Sequence, residues 1–359
     1  MRLHPLVALI ALGAGVAIAA ELASSATDLS QQRLSAEIER WERMIRDTTS
    51  TDPTWRQVRE SAEPGIVRAR QALRDDRPLL ALHRLAAART YLAAWAWIGA
   101  QPARDSAAFE SAWRRMGPTF ASTPSPRALE GVEPAAARAL GEAALPQARA
   151  YYDASLEYGR NTMADYGLLY LGAAEGQREF PGVVRGLGWK STEPAPPIRA
   201  IDGELATLQA EMLAVYRPPV SIDRHGEFIS ANSALKEATE LNAAGLRYGA
   251  LLRYLQAAAR FAPLRAAPPA LARPAAEARL KELGRRLDGA AVDHSIGRLF
   301  LETAAAELAA VGPDSTPPVV AAIATDLIPR YLAALEPARP AAAKPAPEVT
   351  VTLVRWPYT

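Results

Sequence analysis

The sequence has 359 residues, of which 49% are hydrophobic and 7% aromatic, and it contains no cysteine. Basic and acidic residues nearly balance, with 41 Lys and Arg against 39 Asp and Glu, and they alternate along the chain without a long block of one sign. This composition excludes a disulfide scaffold, a lipoprotein, a c-type haem protein and a cysteine nucleophile. It also argues against a nucleic-acid groove or an anionic membrane patch.

The first residues have the organisation of a secretory signal peptide. A basic start at Arg2 precedes an apolar run that ends near Ala20, and Ala17-Ile18-Ala19 fits a small-x-small cleavage site. We therefore expect 1–19 to be removed and the mature protein to be periplasmic, in a Gram-negative bacterium, or secreted. The alternative is an uncleaved membrane anchor, for which this apolar run is short.

The first segment of the expected mature protein has apolar residues at clear helical spacing. Four apolar residues fall on one helix face before the stretch TSTDPTW, and they are Leu34, Ile38, Trp41 and Ile45. In that stretch, capping residues precede Pro53, which favours a helix start there. Further along, Pro78 restarts a helix after a very short turn, which predicts a helical hairpin.

Proline, glycine and capping residues divide the rest of the chain into about ten helices. We predict an all-α fold of antiparallel helical hairpins in two halves, with a C-terminal extended strand. The Gly- and Pro-rich segment 181–197 is the predicted linker between an N-terminal domain, 20–180, and a C-terminal domain, 198–336. A Pro/Ala linker, 337–347, then leads to a strand tail at 348–359.

Two helical segments look alike, LALHRLAAAR in the first half and ALLRYLQAAAR in the second. Matching Leu82 to Leu252 and Leu85 to Leu255 suggests a duplicated helical unit. Chance similarity in a chain rich in Ala, Leu and Arg is the alternative.

The segment ALPQARAYYDASLEYGRNTMADYGLLYLGAAEGQREFP resembles a tetratricopeptide (TPR) helix pair. Large Tyr151 and Tyr158 and small Gly167 lie near the large and small positions of that repeat. The usual closing proline is displaced to Pro181, and Gly159 interrupts the first helix. The resemblance implies a TPR-like packing style rather than membership of the family.

Four tyrosines in the same segment form a candidate groove: Tyr151, Tyr158, Tyr166 and Tyr170. Their spacing places large side chains on neighbouring helical turns. Core packing is the commoner result of such spacing, because a buried helix face requires it.

The stretch SIDRHGEF is a candidate polar site. Asp223, His225 and Glu227 occupy alternate positions, which would share one side of an extended loop. Two carboxylates and an imidazole are metal-ligand types. Because no distant fourth ligand accompanies them, we interpret the stretch as a polar turn around Gly226 and predict neither a metal nor a cofactor.

The remaining chemistry is sparse. His83 lies in an alanine-rich helix without a matching His or Met, and we interpret it as a surface or boundary residue. Asp293-His294 indicates a first helical turn, where an acidic side chain suits the helix dipole. The sequence contains no Gly-rich phosphate loop, no G-x-S-x-G and no H-E-x-x-H. It assigns no catalytic residue and leaves open whether the protein is an enzyme.

Stacked helical hairpins form concave surfaces suited to partners. We therefore expect an exported, non-catalytic scaffold or adaptor that binds another envelope protein or a peptide, and no nucleic acid. The alternative is a glycosidase-like periplasmic hydrolase or a small-ligand-binding protein, whose carboxylates and aromatic side chains converge only in the folded chain. A scaffold should have a shallow groove, and an enzyme a deep pocket with perturbed carboxylates.

The tail EVTVTLVRWPYT has the alternation and the β-branched residues of a strand. A lone strand leaves its backbone groups unpaired, so it either lies over its own helices or adds to the sheet of a partner. The candidate partner-binding residues are Val351, Leu353, Arg355, Trp356 and Tyr358.

Deleting 348–359 distinguishes these two outcomes. A tail that binds a partner should leave the melting temperature of the isolated protein unchanged and should remove a co-purifying envelope protein. A substantial fall in melting temperature, measured by thermal denaturation, would instead show that the tail belongs to its own fold.

Overall fold

A computed structural model describes residues 29–121, 129–160, 163–217, 222–265, 270–289 and 291–335. All regular secondary structure in these ranges is helical, which confirms the predicted all-α class. The predicted signal peptide, the Pro/Ala linker and the C-terminal strand lie outside the described residues.

The helices follow one another along the chain with short connections. They are α1 at 29–47, α2 Pro53–Arg74, α3 Pro78–Gly99, α4 Ser106–Ala121, α5 Ala135–Arg160, α6 Ala164–Leu187, α7 Asp202–Val215, α8 His225–Ala243, α9 Arg247–Phe261, α10 Arg273–Asp288, α11 Ser295–Ala309, α12 Pro318–Ala322 and α13 Ile328–Leu335. A π-helical turn, Ile323–Leu327, joins α12 to α13.

The first two helices form as their sequence predicts. The four apolar residues on one face of α1 are all buried. Helix α2 begins at Pro53, and the Asp52 side chain accepts a hydrogen bond from the backbone N–H of Thr54 at 2.8 Å. Periodicity and capping chemistry are therefore sufficient to define this part of the fold.

Three helical hairpins, α2/α3, α5/α6 and α8/α9, form the body of the protein. Helix α6 packs along α3, and α5 packs along α9, so the α5/α6 hairpin lies between the other two. Helix α11 contacts both α3 and α5, and the α12–α13 segment packs on α9. This arrangement makes α5/α6 a floor that α3 and α9 flank as two walls.

The walls approach the floor closely because small residues lie at the crossings. A Cβ on Gly172 of α6 would be 2.8 Å from the carbonyl oxygen of Ala94 in α3. A Cβ on Gly249 of α9 would be 3.0 Å from the backbone nitrogen of Ala143 in α5. The abundance of alanine and glycine thus has a direct structural result, which is contact between helix backbones.

Glutamates from other helices, Glu142 buried and Glu302 partly buried, accept hydrogen bonds from the first turns of the two walls. Glu302 of α11 accepts a hydrogen bond from the backbone N–H of Leu80 in α3 at 2.8 Å. Glu142 of α5 accepts one from Gly249 in α9 at 2.7 Å. Neither wall has a side-chain cap of its own. The glutamates satisfy N–H groups that a helix start leaves unpaired.

The floor is fixed in the same way by the residues just before α11. The carboxylate of Asp293 accepts hydrogen bonds from the backbone N–H groups of Ala135, at 2.6 Å, and Ser295, at 2.8 Å. The Ser295 hydroxyl accepts one from Ala136 at 2.8 Å. The Asp293 N–H donates to the carbonyl of Pro194 at 2.9 Å. The starts of α5 and α11 and the segment around Pro194 therefore meet at one buried carboxylate.

The hairpins α2/α3 and α8/α9 have the same turn. In each, one residue takes a left-handed conformation, Asp76 at φ 55° and Gly245 at φ 76°. The N–H of the next residue, Arg77 or Leu246, bonds back to a carbonyl in the last turn of the preceding helix. This is the Schellman closure of a helix C-terminus.

The shared turn fixes how the two hairpins correspond. Aligning the left-handed residues places Leu82 opposite Leu251, one residue away from the match to Leu252 that the sequences suggest. Similar turns and similar sequences are both expected of a duplication, which stays a prediction.

The predicted linker at 181–197 is wrong at its first half. Pro181 is buried inside α6, which continues to Leu187 and ends where Gly188 turns left-handed at φ 66°. The extended connection is 188–201. Glycine costs only about 1 kcal/mol and proline about 3 kcal/mol in a helix, and burial of one helix face outweighs both. The packing of α5 along α9 also joins the predicted halves.

Within the described residues, the stretch Pro318–Leu335 is long and apolar enough to cross a membrane, with a mean hydropathy of 1.4. Half of it is buried inside the fold, where Ile323, Leu327 and Ile328 are fully enclosed. Its apolar composition is accounted for by packing against α9 and α11.

Replacing Gly172 by alanine should destabilise the protein by about 1–3 kcal/mol, because the new Cβ meets the backbone of Ala94. Gly182 of the same helix is the matched control, since a Cβ there meets nothing within 4 Å. Gly182→Ala should stabilise by about 0.5–1 kcal/mol through helix propensity. Chemical denaturation of both variants measures the difference, and equal stabilities would contradict the close packing of α3 on α6.

Candidate functional site

Two adjoining cavities lie along α3, α5 and α6, and they share Tyr91 and Tyr151. The larger, the tyrosine groove, has a volume of about 420 Å³. The smaller, the polar chamber, has a volume of about 200 Å³ and extends to α9. We call the two together the cleft: the tyrosine groove lies between the α2/α3 and α5/α6 hairpins, and the polar chamber lies between α3, the floor and α9.

The tyrosine groove brings together all four tyrosines of the predicted groove. The ring centroids of Tyr158 and Tyr170 are 4.6 Å apart, those of Tyr151 and Tyr170 5.8 Å, and those of Tyr158 and Tyr166 6.4 Å. Each ring is only partly buried. The rings therefore pack against one another at the surface of a cavity and leave part of their area open.

The groove exists because small side chains lie between large ones. Ala94 of α3 and Ala173 of α6 line the groove, which leaves space between the rings. At its edge, Tyr91 and Met163 are 41% and 42% exposed. Large side chains with this exposure around a concave surface are typical of recognition sites.

The tyrosine hydroxyls make only long contacts. The Tyr170 hydroxyl is 3.4 Å from that of Tyr158, and the Tyr166 hydroxyl is 3.4 Å from Oε1 of Gln57 in α2. Burial raises the pKa of Tyr170 to about 12, with the neighbouring Tyr158 adding to the effect. Burial likewise raises the pKa of Tyr151. Both phenols stay protonated and able to donate a hydrogen bond to a ligand.

The polar chamber is bridged by His83 of α3 and Gln256 of α9. Gln256 Oε1 accepts from Arg253 Nη1 at 2.8 Å, so its amide nitrogen faces His83 Nε2, at 3.1 Å. An amide nitrogen can only donate, which assigns the imidazole proton to Nδ1. Burial, followed by the charges of Arg253, Arg260 and Arg84, lowers the pKa of His83 to about 4. His83 is therefore neutral at physiological pH.

Arg253 holds the charge inside the chamber. Its side chain is buried, and Nη2 donates to the carbonyl of Ala143 in α5 at 3.0 Å. Nε lies 2.8 Å from Oε2 of Glu237, an ion pair whose angle is not that of a hydrogen bond. Burial lowers the pKa of Arg253 and raises that of Glu237. The two charges largely offset each other.

A second guanidinium lies at the mouth of the chamber. Arg260 is exposed, and its Nη1 donates to the carbonyl of Ser230 at 3.0 Å. It forms no ion pair with any residue in the described part of the chain. Arg253 and Arg260 line the chamber and His83 is neutral, so two guanidinium groups stand there against one carboxylate in contact with them, that of Glu237 paired with Arg253.

His83 is half-buried, which agrees with its interpretation as a boundary residue, and it lines the polar chamber. When the two hairpins are aligned by their shared turn, His83 corresponds to Leu252 and Tyr91 to Arg260. All four residues line the chamber. The sequence showed the likeness of the two segments, and the register set by the shared turn adds that both use this helix face to line the chamber.

The candidate polar site does not form as predicted. Ile222–Arg224 is a 3₁₀-helical turn and α8 begins at His225, so the stretch is helical rather than an extended loop. Alternate residues of a helix do not share a side. His225 Nδ1 bonds the Tyr216 hydroxyl at 2.8 Å, and Glu227 bonds Arg224 at 2.6 Å. Among the described residues, no three of His, Cys, Asp and Glu are grouped to hold a metal.

The side chains of Asp293 and His294 form hydrogen bonds that join neighbouring helices. Both carboxylate oxygens of Asp293 accept backbone N–H groups, as described above. His294 is buried, and its Nδ1 lies 2.9 Å from the Tyr331 hydroxyl. Neither side chain faces the cleft, so the pair joins helices instead of forming an acid/base site.

The chain matches no protein-family model, and no curated protein or solved structure is similar enough to count as a match. Fold class alone does not assign a function. Its function is therefore inferred from the geometry of the cleft.

His83 should make stability depend on pH. Its folded-state pKa of about 4 lies below the ordinary value of 6.5. Between these values the unfolded chain binds more protons, so stability is lost as the pH falls from neutrality. His83→Gln keeps a side-chain amide near Gln256 but does not titrate. Its loss of stability between about pH 7 and pH 5 should be smaller than that of the wild type, by on the order of 1 kcal/mol.

Thermal denaturation at both pH values measures this difference. Gln256→Ala is the control, because it removes the hydrogen bond and keeps the titrating imidazole. That variant should be less stable at both pH values and should keep the pH dependence. Equal pH dependence in His83→Gln and the wild type would contradict the neutral state of His83 in the folded protein.

Proposed function

We propose that the protein is a binding scaffold of the bacterial envelope that holds an extended peptide segment of another protein in the tyrosine groove. The observation that carries this proposal is the ring of Tyr91, Tyr151, Tyr158, Tyr166 and Tyr170 around an alanine-lined groove. The proposal includes export through the N-terminal segment and a non-catalytic role.

Tyrosine is well suited to peptide recognition. Its ring offers a large apolar area at low conformational cost, because the side chain has few rotatable bonds. Its hydroxyl donates to peptide carbonyls, which an extended or polyproline-type segment leaves unpaired. The long contacts of the Tyr166 and Tyr170 hydroxyls, 3.4 Å each, are easily exchanged for a ligand oxygen.

The size and openness of the groove also favour a peptide. A volume of about 420 Å³ fits a few residues. Tyr91 and Met163 are exposed at the edge, so a bound segment can extend beyond the groove. The small-molecule substrate of an enzyme is more often enclosed in a deep pocket.

The lining argues against hydrolysis by carboxylates. Neither the tyrosine groove nor the polar chamber is lined by Asp or Glu in the described part of the chain. Glu237, behind the chamber, is paired with Arg253 at 2.8 Å. A glycosidase needs two carboxyl groups facing the bond to be cleaved.

Two finer parts of the proposal concern packing and the tail. The TPR-like style of the α5/α6 hairpin is consistent with a concave peptide site on that hairpin. The strand tail at 348–359 would supply a second contact to the same partner through a sheet edge.

A peptide pool tests the groove directly. N-acetylated, C-terminally amidated hexapeptides of randomised sequence are passed over immobilised protein, and the retained peptides are quantified by mass spectrometry. The double variant Tyr158→Ala/Tyr166→Ala should retain about tenfold less peptide than the wild type, because it removes two recognition side chains.

Tyr216→Ala is the matched control, since Tyr216 is a partly buried tyrosine that lies outside the cleft, between α7 and α8. This control should retain peptides as the wild type does. Equal retention by the wild type and the groove variant would overturn the proposed function.

A further inference from the structure

We propose that the polar chamber binds a carboxylate, and that this group is the C-terminal carboxylate of the peptide in the tyrosine groove. The inference rests on the proposed function for the source of the carboxylate. The chemistry of the chamber itself is argued from its own residues.

The charges at the chamber favour a monoanion as its ligand. Arg253 and Glu237 form one ion pair, and Arg260 adds a positive charge that no described carboxylate offsets by an ion pair. A bound carboxylate brings the net charge of the chamber to zero. A ligand ammonium group would be repelled, and a doubly charged phosphate would leave an excess negative charge in a partly buried space.

The chamber is prepared for this ligand before it binds. Arg253 is oriented by Gln256 and by the carbonyl of Ala143, so its guanidinium cannot turn away. Arg260, at the mouth, is held by a single hydrogen bond to Ser230 and has further N–H groups to donate. Guanidinium groups bind carboxylates through two parallel hydrogen bonds, which gives both affinity and orientation.

Uncharged donors complete the chamber. Gln147 and Gln177 line it, and the amide of Gln177 donates to the Thr90 hydroxyl at 2.6 Å. Leu252 and Phe180 provide apolar surface beside them. A space of about 200 Å³ with this mixture suits one terminal residue together with its carboxylate.

The position of the chamber connects it to the groove. Tyr91 and Tyr151 line both cavities, so the two sites are neighbours and the end of a chain in the tyrosine groove lies next to the chamber. Arg260 and Tyr91 occupy corresponding positions on α9 and α3 when their turns are aligned. The cation thus faces the cleft from the opposite wall to the phenol.

The test compares two hexapeptide pools of the same randomised composition, one with free carboxyl termini and one amidated. The wild type should retain the free acids about tenfold more than the amides, the usual range for a charge-assisted hydrogen bond. Arg260→Gln should lose this preference, and Arg260→Lys should keep part of it. Because Arg260 is exposed, these variants should fold normally.

Arg114→Gln is the matched control. Arg114 is an exposed arginine of α4 that pairs with Glu110, outside both cavities. It should show the full preference for free acids. Equal retention of both pools by the wild type would overturn the carboxylate proposal, and it would leave the proposed function standing if the groove variant Tyr158→Ala/Tyr166→Ala still reduced retention.

Sodium propionate distinguishes the source of the carboxylate. If neither pool is retained but propionate raises the melting temperature of the wild type and not of Arg260→Gln, the chamber binds a small free acid. That result supports the chemistry of the chamber and overturns the peptide as its source, together with the proposed function. Absence of both effects overturns both proposals.

Discussion

The fold depends on buried or partly buried carboxylates that accept hydrogen bonds from the first turn of a neighbouring helix. Glu302 does this for α3, Glu142 for α9 and Asp293 for α5. Each joins two helices that are distant in sequence, and each satisfies an N–H group that would otherwise be buried without a partner. Because these three helices are the walls and the floor of the cleft, the spacing of the cleft follows from the three contacts. Burial raises the pKa of Glu302 to about 7. This shift reflects the free-energy cost of removing a carboxylate from water.

Between the walls, packing leaves space only where side chains change size abruptly. Gly172 and Gly249 bring the wall helices against the floor, and the helices cannot close further because their backbones already touch. Elsewhere, tyrosines of α3, α5 and α6 stand beside alanines and leave the tyrosine groove open. The cleft therefore results from two kinds of packing in the same helices: backbone contact at the glycines, and large side chains beside small ones elsewhere. Polar side chains can line the chamber because Arg253, Gln256 and His83 form hydrogen bonds with one another there.

The sequence predicted what local patterns control. The start of α2 at Pro53 follows from capping chemistry, and the class of fold follows from helical spacing and alanine content. The extent of α6 was mispredicted, because the penalties of Pro181 and its neighbouring glycines are smaller than the burial of the helix. The tyrosines were recognised as a set, but spacing alone does not distinguish a groove from a core. The place of His83 in the chamber was not predicted, because its partner, Gln256, lies on a helix that only tertiary structure brings near.

The shared turn of the α2/α3 and α8/α9 hairpins has a consequence for how a ligand would be oriented. Two identical walls would present the same groups from both sides, and a chain could then lie in the cleft in either direction. Here corresponding positions differ in chemistry, His83 against Leu252 and Tyr91 against Arg260. One wall supplies an imidazole and a phenol, the other an aliphatic chain and a cation. A peptide in the cleft would therefore have a different binding free energy in each of its two directions.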